Sequence, residues 1–189
     1  VATLGTGVDL VVSGRYAYLS INTYGLQIFD VLNPAAPVSV GALETGGAMA
    51  TGLAVRGSLA LLAEHSQGVW VIDVADPASP VLLGNIGTRE GTEAVAVGET
   101  AAFVANHSLV LAVDLSHPAN PPLLGGLSLT STGEVHGLAA TESHAFVCNG
   151  ERLVVIDVSD PAVPVEVGMA GDLGPTQHVT VAEGLAFVA

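Results

Sequence analysis

Short apolar runs of Val, Ile, Leu and Ala follow one another along the whole chain, each closed by Gly, Pro, Asp, Asn or Ser. None keeps a helical period. Runs this short and this rich in branched residues predict strands, because a helix needs about ten or more residues to present an apolar face. From Gly68 to Gly84 the chain reads G-V-W-V-I-D-V-A-D-P-A-S-P-V-L-L-G: an apolar run, an aspartate, a turn and a second apolar run. With the residues upstream of it, this stretch predicts four strands, over 53–55, 59–63, 69–74 and 81–83.

The same pattern is written four times. Asp30, Asp73, Asp114 and Asp157 recur every 41 to 43 residues. Pro34, Pro77, Pro118 and Pro161 each stand four residues further on, and Pro37, Pro80, Pro121 and Pro164 three beyond those. Gly41, Gly84, Gly125 and Gly168 close the units. A second marker precedes the aspartates: A-Y-L-S at Ala17, A-L-L-A at Ala60, A-F-V-A at Ala102, A-F-V-C at Ala145 and A-F-V-A at Ala186. Four strands in each unit of about 42 residues is the signature of a propeller blade. The predicted class is therefore all-β, a β-propeller of four-stranded antiparallel blades. The blades are expected at 8–50, 51–91, 92–135 and 136–177, with the first strands of a further blade at 178–189. V-A-T-L-G-T-G at the start resembles V-G-A-L-E-T-G beginning at Val40, so residues 1–7 are expected to be the last strand of a preceding blade. Joining the two ends would leave a blade without its third strand. The expectation is an arc cut from a larger ring of six to eight blades, with end faces bare of their neighbours.

The turn has a mechanism. Proline holds φ for the second position of a tight turn and pushes the residue before it into an extended conformation. Asn33, Asp76, His117 and Asp160 occupy that preceding position, where a short polar side chain bonds the turn backbone. Asp30, Asp73, Asp114 and Asp157, with the prolines after them, are read as structural turn residues.

The string L-V-V-I-D-V-S-D-P-A-V-P-V-E-V-G, from Leu153 to Gly168, resembles the LVIVD repeat. This is a family of β-propeller-type repeats found in bacterial and archaeal proteins, often secreted or at the cell surface. The A-F-V-A marker agrees with it. The third copy departs most, with His117 in place of the acidic residue and Pro122 added. The resemblance implies an extracellular or cell-surface location. It carries no catalytic residues over, since the family's signature positions are structural.

Composition narrows the picture further. Half the residues are hydrophobic but only 4% are aromatic, so small and branched side chains must fill the core. Four arginines and no lysine stand against 18 carboxylates, for a formal charge of −14. That field repels phosphate backbones and anionic membranes, so nucleic acid is excluded as a partner. No apolar stretch is long enough for a membrane-spanning helix. Cys148 is alone and cannot form an internal disulfide. It fills an alanine slot of the repeat and reads as a small buried hydrophobe. Trp70, inside a third strand, reads as packing.

In a propeller, loops entering the first strand and those between the second and third strands share one face. That rule gathers His65, His107, His136 and His178 on one face, with Glu64, Glu93, Asn106, Asn149 and Asp9. His117 and His144 fall on the other. Imidazoles and carboxylates together suit a divalent metal, so a metal-dependent hydrolase or small-ligand site at the channel mouth is one reading. Against it, His136 lies nine residues before its marker alanine and His178 eight. An offset of one turns strand side chains to opposite faces. No H-x-H, H-E-x-x-H or D-x-D-x-D-G string occurs either. The favoured expectation is a non-catalytic scaffold without a cofactor. It would meet a protein or glycan through its loop face and neighbouring blades of the same parent chain through its ends.

Overall fold

A computed structural model describes residues 2–88, 91–99, 101–131 and 133–189; Arg89 of the four arginines lies outside them. Every regular element among the described residues is a strand. Sheet one holds β1 (Gly7–Ser13), β2 (Tyr16–Ile21), β3 (Gly25–Asp30) and β4 (Val38–Glu44). Sheet two holds β5 (Ala50–Arg56), β6 (Leu59–Glu64), β7 (Gly68–Asp73) and β8 (Val81–Ile86). Sheet three holds β9 (Ala94–Val97), β10 (Ala101–Asn106), β11 (Leu109–Asp114) and β12 (Leu123–Ser128). Sheet four holds β13 (Val135–Ala140), β14 (His144–Asn149), β15 (Arg152–Asp157) and β16 (Val165–Ala170). A two-stranded sheet of β17 (Val179–Ala182) and β18 (Leu185–Val188) follows. Within each sheet, spatial order is chain order and every pairing is antiparallel, as short hairpins dictate.

Residues 2–6 form no strand, and β1 begins at Gly7. The ties of this segment run to its own sheet: Leu4 N–H donates to Gln27 Oε1 at 3.0 Å, and Thr6 O accepts from Asn22 N–H at 2.9 Å.

The core lies between sheets. First strands run side by side, β1 beside β5, β5 beside β9, β9 beside β13 and β13 beside β17. Leu26, Ile28, Leu62 and Ile72 share the first interface. Val69, Val71, Val104 and Val113 share the second, and Phe103, Val110, Val147 and Ile156 the third. The marker alanines Ala60, Ala102 and Ala145 are fully buried, where a larger side chain would push the sheets apart. The sheets form propeller-like repeats without closing into a ring.

Two regularities explain the repeated motif. In each fourth strand a β-bulge precedes the repeated glycine. Val40, Leu83, Leu124 and Val167 are the extra residues, lying between partners that face successive positions of the third strand. The glycine then meets the proline turn of the next sheet. A Cβ at Gly41 would overlap the Pro77 carbonyl; at Gly84 it would lie 2.6 Å from the carbonyl oxygens of Pro118 and Ala119; at Gly125 it would overlap the Ala162 carbonyl. Bulge, glycine and turn together form one inter-sheet joint.

The turn itself is tied from inside. Oδ1 of Asp30, Asp73, Asp114 and Asp157 accepts the N–H two residues on, at 2.7–2.9 Å. Asn33, Asp76 and Asp160 do the same for the turn proper, at 3.0–3.2 Å. His117 has no such oxygen, and its Nδ1 meets Ser116 Oγ at 2.9 Å instead. Hydrogen bonds from Ser116 and Ser159 hold the carboxyls of Asp114 and Asp157 below the usual range, and the Arg15 guanidinium with the Leu32 N–H does so for Asp30. A carboxyl depressed in the folded state adds stability that is complete above its unfolded value, about 3.9, and fades as pH falls through the lower folded value. Melting temperature should therefore fall below about pH 4. Asp114→Asn with Asp157→Asn keeps an oxygen acceptor without a titrating charge, so its decline should be shallower. Identical declines in thermal melts from pH 2 to 7 would show that these turns contribute nothing.

Candidate functional site at the channel mouth

The first strands enclose an open cavity of about 500 Å³, with Asp9, Thr51, His136 and His178 in its wall. Both histidines stand in this wall despite their one-residue offset, and His136 sits at a bulge. His136 is the extra residue between Val135, which pairs with Asn149, and Gly137, which pairs with Cys148. At the other site the N–H groups of Gln177 and His178 both donate to Ala189 O, at 2.7 and 3.2 Å. Alternation does not hold across two residues that face one. Val8 and Thr51 are bulged at the same register in β1 and β5, so the irregularity belongs to the repeat.

Glu64, Asn149 and Asp9 of this face are held by hydrogen bonds that reach neighbouring sheets. Glu64 is fully buried, and its carboxylate accepts from Thr45 Oγ1 and, at 2.9 Å, from Trp70 Nε1. Asn149, also buried, accepts from Ser131 Oγ at 2.5 Å and donates to Gly133 O at 2.6 Å. Thr176 Oγ1 donates to Gly150 O at 2.8 Å. A hydroxyl placed after one sheet thus fastens the end of a second strand in sheets two and four and, by way of Thr176, ties the segment leading into β17 to the fourth sheet. Sequence reasoning missed this device. Its signal is a Thr or Ser 18 or 19 residues before the strand-end Asn or Glu. Asp9 spans two first strands: Oδ2 accepts the Leu53 N–H and Oδ1 the Leu10 N–H, at 2.9 and 2.8 Å.

The histidines are placed differently. His65 is half-buried, its Nδ1 3.4 Å from Glu93 Oε1 but without hydrogen-bond geometry. Glu93 is tied by its own N–H to Ala105 O at 2.9 Å. His107 stands exposed at the tip after β10, with φ of 37°, and its carbonyl accepts from Val135 N–H at 3.1 Å. Asn106, just before it, is buried. Equivalent places in the repeat therefore give His65 and His107 unlike surroundings. Among the described residues, no three side chains of His, Cys, Asp and Glu are grouped closely enough to hold a metal ion. Cys148 is fully buried, and burial pushes its thiol up against the opposing Thr176 hydrogen bond, so it is a poor nucleophile.

The family model described as the LVIVD repeat matches residues 5–45, 47–88, 91–127 and 132–171. A search of curated proteins found no match. Among solved structures, a functionally unknown protein from Desulfotomaculum acetoxidans DSM 771 aligns with a TM-score of 0.85 at 12% identity, over 100% of this chain and 64% of that one. The computationally designed Ika8 protein aligns with a TM-score of 0.74 at 12% identity, over 96% of this chain and 54% of that one. The designed Ika4 protein aligns at 0.61 and 14%, over 79% and 96%. The chain thus spans about half to two thirds of the first two. Likeness at such identities is likeness of fold.

Proposed function

The chain belongs to the LVIVD repeat family, and on that footing we propose that it is a non-catalytic, β-propeller-type scaffold of a secreted or cell-surface protein, offering its loop-rich face to a protein or a glycan. The observation that supports this reading is that Glu64 is closed between Thr45 and Trp70, while Asp9 and Asn149 likewise bond to neighbouring sheets. A general acid or base must reach its substrate, and a carboxylate closed between Thr45 and Trp70 does not. What faces solvent is the varied part of the repeat, His107, His136 and His178 among it. Variable loops on a rigid frame are the usual layout of a binding surface.

The cavity favours a second reading, a small-ligand site. His136, His178 and Asp9 share a space whose volume falls in the range of ligand pockets, about 300–1,000 Å³. One set of experiments tests both. On an array of defined glycans the protein should retain a subset, and His136→Ala with His178→Ala should lose it. Exposed residues like these change stability by less than about 0.5 kcal/mol. Melting temperature should be the same with and without EDTA. A melt lowered by EDTA and restored by zinc, together with hydrolysis of an ester or phosphoester panel, would overturn the scaffold in favour of a metal-dependent hydrolase.

A further inference from the structure

Sheets two and three differ at one equivalent place. Trp70 stands three residues before Asp73 and Leu111 three before Asp114, and each pairs with the third residue of its marker, Leu62 or Val104. Glu64 and Asn106 likewise close the second strands, and both are buried. In sheet two the indole of Trp70 packs on the core shared with sheet one and donates Nε1–H to Glu64. In sheet three Leu111 and Asn106 hold those places with smaller side chains. Together with Thr88, Ser108, Leu109 and Leu123 they wall a cavity of about 460 Å³. Thr88 lies 18 residues before Asn106, the spacing of the Ser131–Asn149 bond, but its Oγ1 meets Thr92 Oγ1 at 2.8 Å. None of the residues named around this cavity lines the channel.

We propose that this cavity between sheets two and three binds a small, neutral bicyclic aromatic carrying an N–H donor, of which indole is the simplest. The ligand does for sheet three what the Trp70 side chain does for sheet two. Its ring lies on Leu109, Leu111 and Leu123, and its N–H donates to the side-chain oxygen of Asn106, as Trp70 Nε1–H does to Glu64. The warrant is internal to the chain: the same place in the repeat, facing the preceding sheet, holds an indole one unit earlier. Asn106 is 5% exposed, and a polar group so buried favours a ligand that brings a hydrogen-bond partner over one that does not. The volume lies in the range of ligand pockets, about 300–1,000 Å³. Leu123 is 61% exposed, so the cavity opens to solvent on that side. The formal charge of −14 disfavours ring acids and selects neutral rings.

The test is isothermal titration calorimetry of the intact protein with indole itself. Indole should bind saturably, and N-methylindole, which has no N–H, at least about tenfold more weakly. Leu111→Trp gives sheet three the side chain that sheet two has at this place. It should melt no lower than the wild type and weaken indole by at least about tenfold. His136→Ala with His178→Ala should bind indole as the wild type does, which keeps this site distinct from the channel. No saturable binding of indole, equal binding of N-methylindole, or undiminished binding to a folded Leu111→Trp would overturn the proposal. So would loss of indole in the channel variant, which would assign the ligand to the channel. Should Leu111→Trp fail to fold, the comparison of indole with N-methylindole on the wild type decides.

Discussion

Gly41→Ala is expected to destabilise the protein by about 1–3 kcal/mol, although it adds a single methyl group. The methyl has nowhere to go: it overlaps the Pro77 carbonyl, which is backbone of the next sheet and cannot swing aside as a flexible side chain would. The first two sheets must separate locally, and the apolar contacts between Leu26, Ile28, Leu62 and Ile72 loosen with them. For a chain of this length the melting temperature should drop by roughly 3–10 °C. Gly168→Ala is the control, because it occupies the same place in the motif but meets nothing within 3.9 Å. It should change stability by less than about 0.5 kcal/mol. Thermal melts of the two variants side by side decide the matter. Equal effects would mean that the glycine serves strand geometry and not the joint.

Glu64→Ala is expected to cost on the order of 3 kcal/mol. The carboxylate is fully buried between the first two sheets and accepts from two donors, Thr45 Oγ1 and Trp70 Nε1. Truncation strands both donors away from water and leaves a cavity as well, and each unsatisfied buried group costs about 1–3 kcal/mol. Glu64→Gln retains one acceptor oxygen and should cost about half as much, losing the charge-assisted part of the bonding. Trp70 is the only tryptophan, so its emission reports this interface directly. Denaturant titrations followed by that emission should show a lower midpoint for Glu64→Ala, with Glu64→Gln between it and the wild type. Wild-type stability in Glu64→Ala would show that the carboxylate is not a fastener, and would return Glu64 to the list of residues free for chemistry.

The repeat was fully legible in the chain because its markers are covalent and local. Asp, Pro and Gly at set offsets encode a turn, and a turn is decided by the residues that make it. The polar face was legible only as a list of residues. The one-residue offset of His136 and His178 reads as side chains that need not converge, because strand alternation ignores the bulge at His136. A bulge is a property of pairing between two strands and leaves little trace in either one. Glu64 is legible in the sequence as a polar residue of the loop face, but its partners are not: Thr45 follows the first sheet, and Trp70 lies on the strand paired with Glu64's own.

By itself, then, the sequence determined that this is an all-β chain of four-stranded units joined by proline turns, with small residues at the sheet interfaces. Those features follow from backbone restriction and apolar pattern within one unit. Only the tertiary structure decided that the repeated glycine is a seat for the next unit's turn, that Glu64 and Asp9 fasten neighbouring sheets, and that His136 and His178 line one cavity. Each of those depends on the distance between two sheets, and that distance is set when side chains of different repeats pack against each other.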